Sequence, residues 1–385
     1  MKIGFDAKRI VRNSTGLGSY SRTLVNALSA INTEHQLLLY APDEGEPHLR
    51  QQIELRPGVE FAYPSRPLPL KGKLGFAAYW RSKGIVNDLR NDRVDLYHGL
   101  SGELPKGLKK AGIRSIVTIH DLIFLRHPEY YHWWDVMLYK KKFYQTLREA
   151  DHIIAISECT KRDILYYARR KGIDIPDKQI SIVYQSCGTR FAHRVDENRL
   201  QSVHAEYDLP RRYLLSVGTI EERKNILLAV KALKHLPDDL SLVVVGRSTK
   251  YATMVRRYAK EHGLDARLRF LHGVPNDDLP AIYQMGEAFV YPSRYEGFGI
   301  PIIEAIQSGL PVIAATGSCL EEAGGPASLY VGPDDEKSMA KAVIQAVSER
   351  QMRVKESRDY VRRFENSDVA RQVMSLYQQT VSARS

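Results

Sequence analysis

Cysteine is scarce in this chain of 385 residues, which holds only Cys159, Cys187 and Cys319 at wide spacings. Neither a disulfide framework nor a zinc-binding pattern fits that spacing. Long apolar runs are also lacking, because none approaches the roughly 18 residues that a membrane-spanning helix needs. The first apolar segment is already interrupted at Asp6, so we predict no export signal. These absences predict a folded protein that works in a reducing cytoplasm.

A complete dinucleotide-binding fingerprint is lacking as well. Gly16 and Gly18 follow the first predicted strand and open a predicted helix, but the third glycine of the fingerprint is missing. No acidic residue ends the second predicted strand, where Tyr40 is followed by Ala41 and Pro42. This pattern disfavours a dehydrogenase. Two interpretations of the glycines stay open: an ordinary turn, or a loop that admits a phosphate or a sugar to a helix N-terminus.

What the chain does have is a repeated alternation of apolar strands and helical segments. Hydrophobic residues make up 43% of it, and its length exceeds one ordinary core. We predict an α/β fold with two Rossmann-like, doubly wound domains. The predicted strands are Lys2–Asp6, Gln36–Tyr40, Val94–Tyr97, Ser115–Ile119, His152–Ile156, Ile180–Val183, Tyr213–Val217, Leu240–Val245, Leu268–Leu271, Ala288–Tyr291 and Val312–Ala315. The predicted helices include Ser19–Ile31, Ile226–Leu236 and Tyr251–Glu261.

A polar, charged stretch from Phe191 to Pro210 marks the predicted boundary between the two domains. We place the first domain at residues 1–200 and the second at residues 201–365. Residues 366–385 form a separate segment that contains a helix candidate.

Positive charge is concentrated in the first half. Residues 1–190 hold 30 lysines and arginines against 20 acidic residues, whereas the remainder holds 26 against 25. This asymmetry favours an anionic partner, either a membrane surface or nucleic acid. Residues 130–144 combine aromatic rings with a lysine cluster on a predicted helix, which suits an interfacial surface or core aromatics beside a solvated face. The basic residues are dispersed and no nucleic-acid-binding module is found, so we expect no nucleic-acid partner.

The run from Arg294 to Gly309 carries two carboxylates, Glu296 and Glu304, around a glycine turn and a helix start. Backbone amides at residues 297–300 would point at an anion, and a carboxylate accepts hydrogen bonds from sugar hydroxyls. The alternative is a loop charge and a solvated helix residue. If the first interpretation holds, phosphate and sugar bind together here.

Other polar groups follow predicted strands. Arg223 and Lys224 come after a strand and the turn at Gly218, where they could neutralise a diphosphate or simply face solvent. His120 ends the strand before Asp121, which could orient the imidazole. A satisfied structural histidine is the other interpretation of this pair.

Together these segments resemble the motifs of the retaining GT-B glycosyltransferases, most closely the large family-4 group. Glu296 and Glu304 match the E-x7-E signature of that group. The remaining matching segments occur in the family's order and are Ile119–Leu122, Ile156–Lys161, Val217–Asn225 and Phe270–Tyr283.

The resemblance implies two domains that face a central cleft, with a terminal helix that returns to the first domain. It implies that Glu296 contacts donor-sugar hydroxyls, that Glu304 holds the nucleotide ribose, and that His120 contacts the donor sugar near the reacting carbon. It also implies front-face attack, with the leaving phosphate assisting proton removal and Glu296 positioning hydroxyls. The further donor-side residues are Gly16, Gly18, Gly218, Gly273, Val274, Gly297, Phe298, Gly299 and Ile300, and the acceptor-side residues are Tyr20 and Asp121.

Within this family, the chain resembles bacterial mannosyltransferases of O-antigen and lipopolysaccharide assembly. It implies transfer of a hexose from a nucleotide sugar, GDP-mannose first and a UDP-hexose second, to a glycan or a polyprenyl-diphosphate-linked glycan. No Asp-x-Asp motif occurs, so we expect Arg223 and Lys224 to replace a metal ion and expect no cofactor. A cytoplasmic enzyme with peripheral contact to an anionic membrane is expected, and a catalytically silent scaffold is the alternative.

Two features depart from the family pattern. The segment Ile182–Thr189 differs from that of many relatives, which leaves its acceptor or hinge role open. Arg294 is an unusual charge near the predicted donor site. Two interpretations stay open for it: contact with phosphate, or exposure to solvent.

Overall fold

The computed structural model describes residues 1–65 and 74–383, so the last two residues of the predicted segment 366–385 lie outside the described residues. The chain divides into two compact units. One unit comprises Met1–Ser186 together with the C-terminal segment from Phe364, and the other comprises Cys187–Arg363.

The first unit contains, within its described residues, a sheet of seven parallel strands in the order β3-β2-β1-β4-β5-β6-β7. These strands are β1 (Lys2–Asp6), β2 (Gln36–Tyr40), β3 (Val59–Ala62), β4 (Leu96–Gly99), β5 (Arg114–Ile119), β6 (His152–Ala155) and β7 (Ile180–Ile182). The helices before Cys187 are α1 (Lys8–Arg12), α2 (Gly16–Ile31), α3 (Pro47–Arg50), α4 (Leu74–Tyr79), α5 (Ile85–Asn91), α6 (Leu108–Ala111), α7 (Ile123–Arg126), α8 (Trp133–Glu149) and α9 (Glu158–Arg169).

The second unit contains six parallel strands among the described residues, in the order β10-β9-β8-β11-β12-β13. These strands are β8 (Tyr213–Val217), β9 (Ser241–Val245), β10 (Leu268–Leu271), β11 (Ala288–Tyr291), β12 (Val312–Ala315) and β13 (Leu329–Val331). Its helices are α10 (Glu197–Glu206), α11 (Ile226–Ala232), α12 (Lys250–Glu261), α13 (Leu279–Met285), α14 (Ile300–Gln307), α15 (Leu320–Gly324), α16 (Glu336–Ser348) and α17 (Arg350–Val361).

Short non-α helices connect several of these elements. A π-helix spans Trp80–Gly84. The 3-10 helices are Pro128–Tyr130, Asp177–Gln179, Thr189–Phe191, Glu222–Lys224, Leu233–His235, Asp265–Arg267 and Arg362–Phe364.

Each sheet reverses its strand order at one point, and ligands of open α/β sheets bind in the crevice at such a point. In the first unit the chain runs outward from β1 to β3 and returns to β4 beside β1. In the second unit it runs outward from β8 to β10 and returns to β11 beside β8. The loops that follow β8 and β11 therefore meet at the carboxyl edge of the second sheet.

The central strands of the second unit are buried because they are apolar on both faces. Leu242, Val244, Val290 and Ile313 are each at most 1% exposed and belong to one core cluster. Parallel strands covered by helices on both faces need such continuous apolar runs. This covering fixes the strand ends from which the polar loops emerge.

The C-terminal helix α18 (Asn366–Ser382) packs against α2 in the first unit. Val373 and Tyr377 are fully buried in the core cluster of that unit. The Tyr377 hydroxyl contacts His98 Nδ1 at 2.6 Å, and His98 Nε2 contacts Thr118 Oγ1 at 2.8 Å. Thr118 Oγ1 also lies 3.1 Å from the Tyr20 hydroxyl, so one buried polar chain connects α18 to α2.

The predicted fold class is confirmed, since both units are doubly wound parallel α/β structures. The bounds of the strand predicted at Val94–Tyr97 were wrong at both ends, because β4 spans Leu96–Gly99 and includes His98. Both His98 ring nitrogens have internal partners, which allows a polar residue inside a buried strand. The strands β3 and β13 were missed because they are short edge strands with partly exposed residues.

Close packing explains Gly18, which lies in the first turn of α2. A Cβ atom at this position would lie 1.8 Å from the Asn13 carbonyl oxygen, whereas a Cβ at Gly16 would meet nothing within 4 Å. The Asn13 side chain also accepts the Gly18 backbone N–H at 3.2 Å. The backbone turn therefore requires glycine at position 18 and does not require it at position 16.

We predict that Gly18→Ala lowers the free energy of unfolding of the first unit by ~1–3 kcal/mol, because the Asn13 backbone must move to admit the methyl group. The matched control Gly16→Ala should leave stability within ~1 kcal/mol of the wild type, since alanine favours helix formation. Urea denaturation followed by circular dichroism measures both. Equal effects of the two substitutions would contradict the packing explanation.

Candidate active site

The loops after β8 and β11 are connected by paired contacts at the carboxyl edge of the second sheet. The Arg294 backbone N–H donates to the Arg223 carbonyl at 2.9 Å, and Arg223 Nη1 donates to the Tyr295 carbonyl at 2.6 Å. Asn225 adopts a left-handed conformation with φ 54°, and its side-chain amide donates to the Pro292 carbonyl at 3.2 Å. The two loops are thus held as one structure.

Glu296 is the central charge of this structure. Its carboxylate lies 2.8 Å from Arg223 Nη1 and 2.6 Å from Lys224 Nζ. The three side chains are only 12–14% exposed. Lys224 Nζ also donates to the Tyr291 hydroxyl at 2.5 Å, and Arg223 Nη2 contacts Glu221 at 2.7 Å. The residue predicted to bind sugar hydroxyls, Glu296, is therefore in direct contact with Arg223 and Lys224, the residues predicted to bind phosphate.

These contacts determine the protonation state of the cluster. Burial acts to raise the pKa of Glu296, but the neighbouring charges of Lys224 and Arg223 outweigh it and lower the pKa to about 2. Burial acts to lower the pKa of Lys224, yet Glu296 and Tyr291 raise it above its ordinary value. All three groups are consequently ionised at neutral pH.

The glycine turn after Glu296 is fixed from the protein interior. Phe298 is 2% exposed, and Gly299 has φ +132° as the residue before α14, a region that favours glycine. The Cys319 thiol lies 3.1 Å from the Glu296 carbonyl and 2.9 Å from the Phe298 carbonyl. Gly297 and Ile300 lie on the same turn, so this predicted group is brought together beside Glu296.

Glu304 lies one turn further along α14 in a different electrostatic environment. The Tyr283 hydroxyl donates to its carboxylate at 3.0 Å. Burial raises the pKa of Glu304 to about 7, against the lowering effects of the Tyr283 hydrogen bond and of Arg190. The two predicted carboxylates therefore differ strongly, one held ionised and the other near its titration midpoint at neutral pH.

The loops after β8, β9 and β10 lie side by side at the same edge. A Cβ at Gly246 would lie 1.9 Å from the Gly218 carbonyl oxygen, so the loops after β8 and β9 touch through glycine backbones. His272 Nδ1 donates to the Gly246 carbonyl at 2.6 Å, which connects the loop carrying Gly273 and Val274. Sequence reasoning missed Gly246, although the glycine directly after a buried strand was a usable signal.

His120 occupies the predicted strand end in the first unit. Its Nε2 donates to the Leu100 carbonyl at 2.8 Å, and the Gln185 amide donates to its Nδ1 at 2.8 Å. Burial lowers the pKa of His120 to about 4, so the imidazole is neutral with its proton on Nε2. Tyr20 packs edge-on against this ring, with 4.6 Å between centroids. Gln185 was missed because it lies in the segment that departs from the family pattern.

Asp121 follows His120 and accepts the Ile123 backbone N–H at 3.1 Å, at the start of α7. Both residues line a cavity of about 230 Å³ together with Leu17, Tyr139 and other side chains. Gly16 and Gly18 form the first turn of α2, next to Leu17. The predicted residues of the first unit are therefore gathered near the carboxyl ends of its strands.

A second cavity of about 300 Å³ in this unit is lined by ion pairs that the sequence did not predict. Arg81, on the π-helical turn, contacts Asp6 at 2.5 Å at the end of β1. Lys142 contacts Glu103 at 2.9 Å, and these two residues line both cavities. Asp6 and Arg81 are 75 residues apart, so no local pattern could reveal the pair.

The partly exposed Arg294 pairs with the exposed Asp334 at 2.5 Å. This contact gives a partner to the charge that stood out beside the predicted donor site.

Within residues 1–65 and 74–383, no cluster of three or more histidine, cysteine or acidic side chains is arranged to hold a metal ion. In the same part of the chain, no helix is long and apolar enough to cross a membrane.

Two family models match adjoining parts of the chain. The model described as "Glycosyltransferase Family 4" matches residues 14–186, and the model described as "Glycosyl transferases group 1" matches residues 201–363. With two parallel α/β units and this strand-end site, the molecule is a glycosyltransferase with the GT-B fold. The chain belongs to the glycosyltransferase family that these two models describe.

Individual relatives agree with this assignment. The chain is similar to O-antigen chain mannosyltransferase B of Escherichia coli, with 28% identity over 91% of each chain. Sucrose-phosphate synthase from Thermosynechococcus elongatus shares its fold, with a TM-score of 0.76, 22% identity and complete coverage of both chains. Anabaena HepE in complex with UDP-glucose has a TM-score of 0.73 and 16% identity, covering 98% of this chain and all of HepE.

We predict that Glu296→Gln lowers the free energy of unfolding at neutral pH by about 3 kcal/mol, because two poorly exposed cations lose the carboxylate that they share and only Arg223 keeps another, Glu221. The Glu296 pKa is lowered from 4.5 to about 2, so its stabilisation is present above pH ~4.5 and is lost as the pH falls toward 2. The difference between variant and wild type should therefore shrink over that range. Denaturant unfolding at a series of pH values measures it.

The exposed Glu356 on α17 provides the control for this series. Glu356→Gln should follow the wild-type pH dependence, because no ion pair is removed. A constant difference between Glu296→Gln and wild type from pH 7 to pH 2.5 would contradict the ionised cluster.

Proposed function

We propose that this glycosyltransferase transfers mannose from GDP-mannose, with retention at the anomeric carbon, to a glycan or a polyprenyl-diphosphate-linked glycan. The contact of Arg223 and Lys224 with Glu296 carries the proposal, because it joins phosphate-binding cations to a sugar-binding carboxylate. The similar O-antigen chain mannosyltransferase supports the sugar and the role in cell-surface polysaccharide synthesis. In this proposal residues 1–200 form the acceptor-side domain, residues 201–365 bind the donor, and residues 366–385 return to the first domain.

The cations act on the leaving group. As the glycosidic bond breaks, negative charge grows on the diphosphate, and Arg223 and Lys224 are already positioned and ionised to stabilise it. Such a preorganised contact lowers the barrier by about 3 kcal/mol. Donor binding would redirect part of the Glu296 carboxylate from these cations to sugar hydroxyls.

The remaining residues bind the two substrates. Glu304 accepts hydrogen bonds from the ribose hydroxyls, and the turn from Gly297 to Ile300 approaches the donor through its backbone. Gly218, Gly273 and Val274 lie on the neighbouring strand-end loops and contact the nucleotide. We also assign His120, Gly16 and Gly18 to donor binding, and Tyr20 and Asp121 to acceptor binding.

Front-face attack fits this site better than a glycosyl-enzyme intermediate. A carboxylate with a pKa of about 2, paired with two cations, is a weak nucleophile. Glu296 therefore positions hydroxyls while the leaving phosphate assists removal of the acceptor proton. Trapping a covalent sugar on Glu296 would overturn this mechanism.

Donor identity has one specific competitor, a UDP-hexose, because the similar HepE structure contains UDP-glucose. We predict that GDP-mannose raises the thermal midpoint of the protein by several degrees, whereas UDP-glucose and UDP-GlcNAc do not, since ligand binding stabilises the folded state. A thermal-shift panel with free GDP and UDP as references measures this. A selective shift with a UDP-sugar would reassign the donor.

Metal independence follows from the same cations. We predict full mannosyl transfer in excess chelator, because Arg223 and Lys224 replace the divalent ion at the leaving diphosphate. Transfer is measured with and without EDTA. Loss of transfer in EDTA with rescue by magnesium or manganese would refute this prediction.

Peripheral membrane contact, at the inner face of the plasma membrane, is the proposed location. The first turns of α8 expose Trp133 and Trp134 at 61% and 69%, with their rings stacked at 3.6 Å. Met137 and Leu138 are also exposed, next to the exposed Lys140 and Lys141. Apolar rings beside lysines suit insertion into an anionic lipid interface.

We predict that the protein floats with phosphatidylglycerol vesicles at low salt and that Trp133→Ser/Trp134→Ser loses most of this binding. A control that replaces exposed apolar residues of the second unit, Ile344→Ser/Met352→Ser, should bind as the wild type does. Flotation on a density gradient measures the bound fraction. No binding of the wild type at low salt would remove the membrane proposal.

A further inference from the structure

A basic groove lies within the second unit and takes no part in the proposed transfer reaction. It has a volume of about 830 Å³, which is within the size range of small-molecule sites. One carboxylate, Asp359, lines it. The basic groove's arginine and lysine side chains are Arg194, Arg350, Lys355, Arg358 and Arg362.

Two of these cations already have structural partners. Arg350 donates to the Gly286 and Gly309 carbonyls at 3.0 and 3.1 Å. Arg358 donates to the Ile306 and Gln307 carbonyls at 3.4 and 3.1 Å. The Gly286 carbonyl follows α13, and the other three lie at the C-terminal end of α14, where positive charge also offsets the helix dipole.

The other three cations are not neutralised. Within the described part of the chain, Arg194 and Lys355 have no ion-pair partner. Arg362 meets Asp359 only at 3.9 Å, and both side chains are mostly exposed, so that pair contributes little. Surplus positive charge is therefore concentrated on a concave surface, which attracts an anion.

Polar walls make this groove a preformed site. Gln284 accepts the Val195 backbone N–H at 3.0 Å and donates to the His193 carbonyl at 2.7 Å. Gln307 accepts from the Cys187 thiol at 3.0 Å. These contacts hold the segment after Cys187 against α13 and α14, so the groove keeps its shape without a ligand.

The same two helices connect the groove to the donor side. Gln307 lies three residues after Glu304 on α14, and residues at this spacing share a helix face. Gln284 directly follows Tyr283, the hydrogen-bond partner of Glu304. α14 has eight residues, so its groove end lies only about 12 Å from the glycine turn at its start.

We propose that the basic groove is a second ligand site, separate from the donor loops, for a small phosphorylated molecule that carries several phosphate charges. Guanidinium groups bind phosphate through paired hydrogen bonds, and the volume admits a nucleotide-sized ligand. A ligand that attracts Arg350 and Arg358 competes with the carbonyls at the end of α14. Occupancy of the groove therefore weakens donor binding at Glu304.

The test uses inorganic tripolyphosphate as the probe and Arg194→Ser/Lys355→Ser/Arg362→Ser as the groove variant. These side chains are exposed, and the long Arg362–Asp359 pair contributes little, so the variant should fold. Calorimetry should show tripolyphosphate binding about tenfold or more weaker in the groove variant than in wild type. A control with the same charge loss, Arg257→Ser/Lys260→Ser/Lys341→Ser, should bind within about twofold of wild type.

Equal tripolyphosphate affinity in wild type and groove variant, or equal losses in both triple variants, would overturn the proposal. Binding of the groove to phosphatidylglycerol vesicles but not to tripolyphosphate would also overturn it, in favour of a lipid headgroup.

Coupling is tested by the donor KM. Tripolyphosphate should raise it more in wild type than in the groove variant, whereas an equal rise in both would show competition at the donor loops alone. The thermal shift with donor is measured in every variant, so failure of the donor assignment is seen independently.

Discussion

The pairing of Glu296 with Arg223 and Lys224 is the interaction on which the proposed chemistry depends. The carboxylate keeps two cations ionised and in place inside a poorly exposed site, and the cations keep the carboxylate ionised. A site arranged in this way need not reorganise as charge develops on a leaving group. The same contact fixes two loops relative to each other, so electrostatics and local geometry have one origin.

Sheet topology brings these charges together. Arg223 and Glu296 are 73 positions apart, yet β8 and β11 are hydrogen-bonded neighbours, and the chain leaves both strands at the same edge. The first unit has a similar arrangement, since Asp6 is the last residue of β1, and the loop after the neighbouring strand β4 leads to Glu103. In both units the apolar strands supply a rigid base, and their ends carry the polar groups.

Local patterns predicted much of this correctly. Six predicted strands, including Tyr213–Val217 and Ala288–Tyr291, match the structure end to end, because buried parallel strands are continuous apolar runs. The E-x7-E spacing and the His120 motif likewise identified the family. Edge strands such as β3 gave a weaker signal, and the partners Gln185 and Arg81 were not predicted, because each acts through residues far away in the sequence.

By itself, the sequence determined the α/β class, the family and the chemical types at the strand ends, since all of these depend on local periodicity and short motifs. The tertiary structure decided which partners, and therefore which protonation states, the side chains at the strand ends have. It gave Glu296 two cations, which lower its pKa, and it buried Glu304, which raises its pKa. It also placed Gly18 against the Asn13 backbone, and it brought arginines from separate segments to one groove. Burial and proximity of this kind arise only when distant segments fold together.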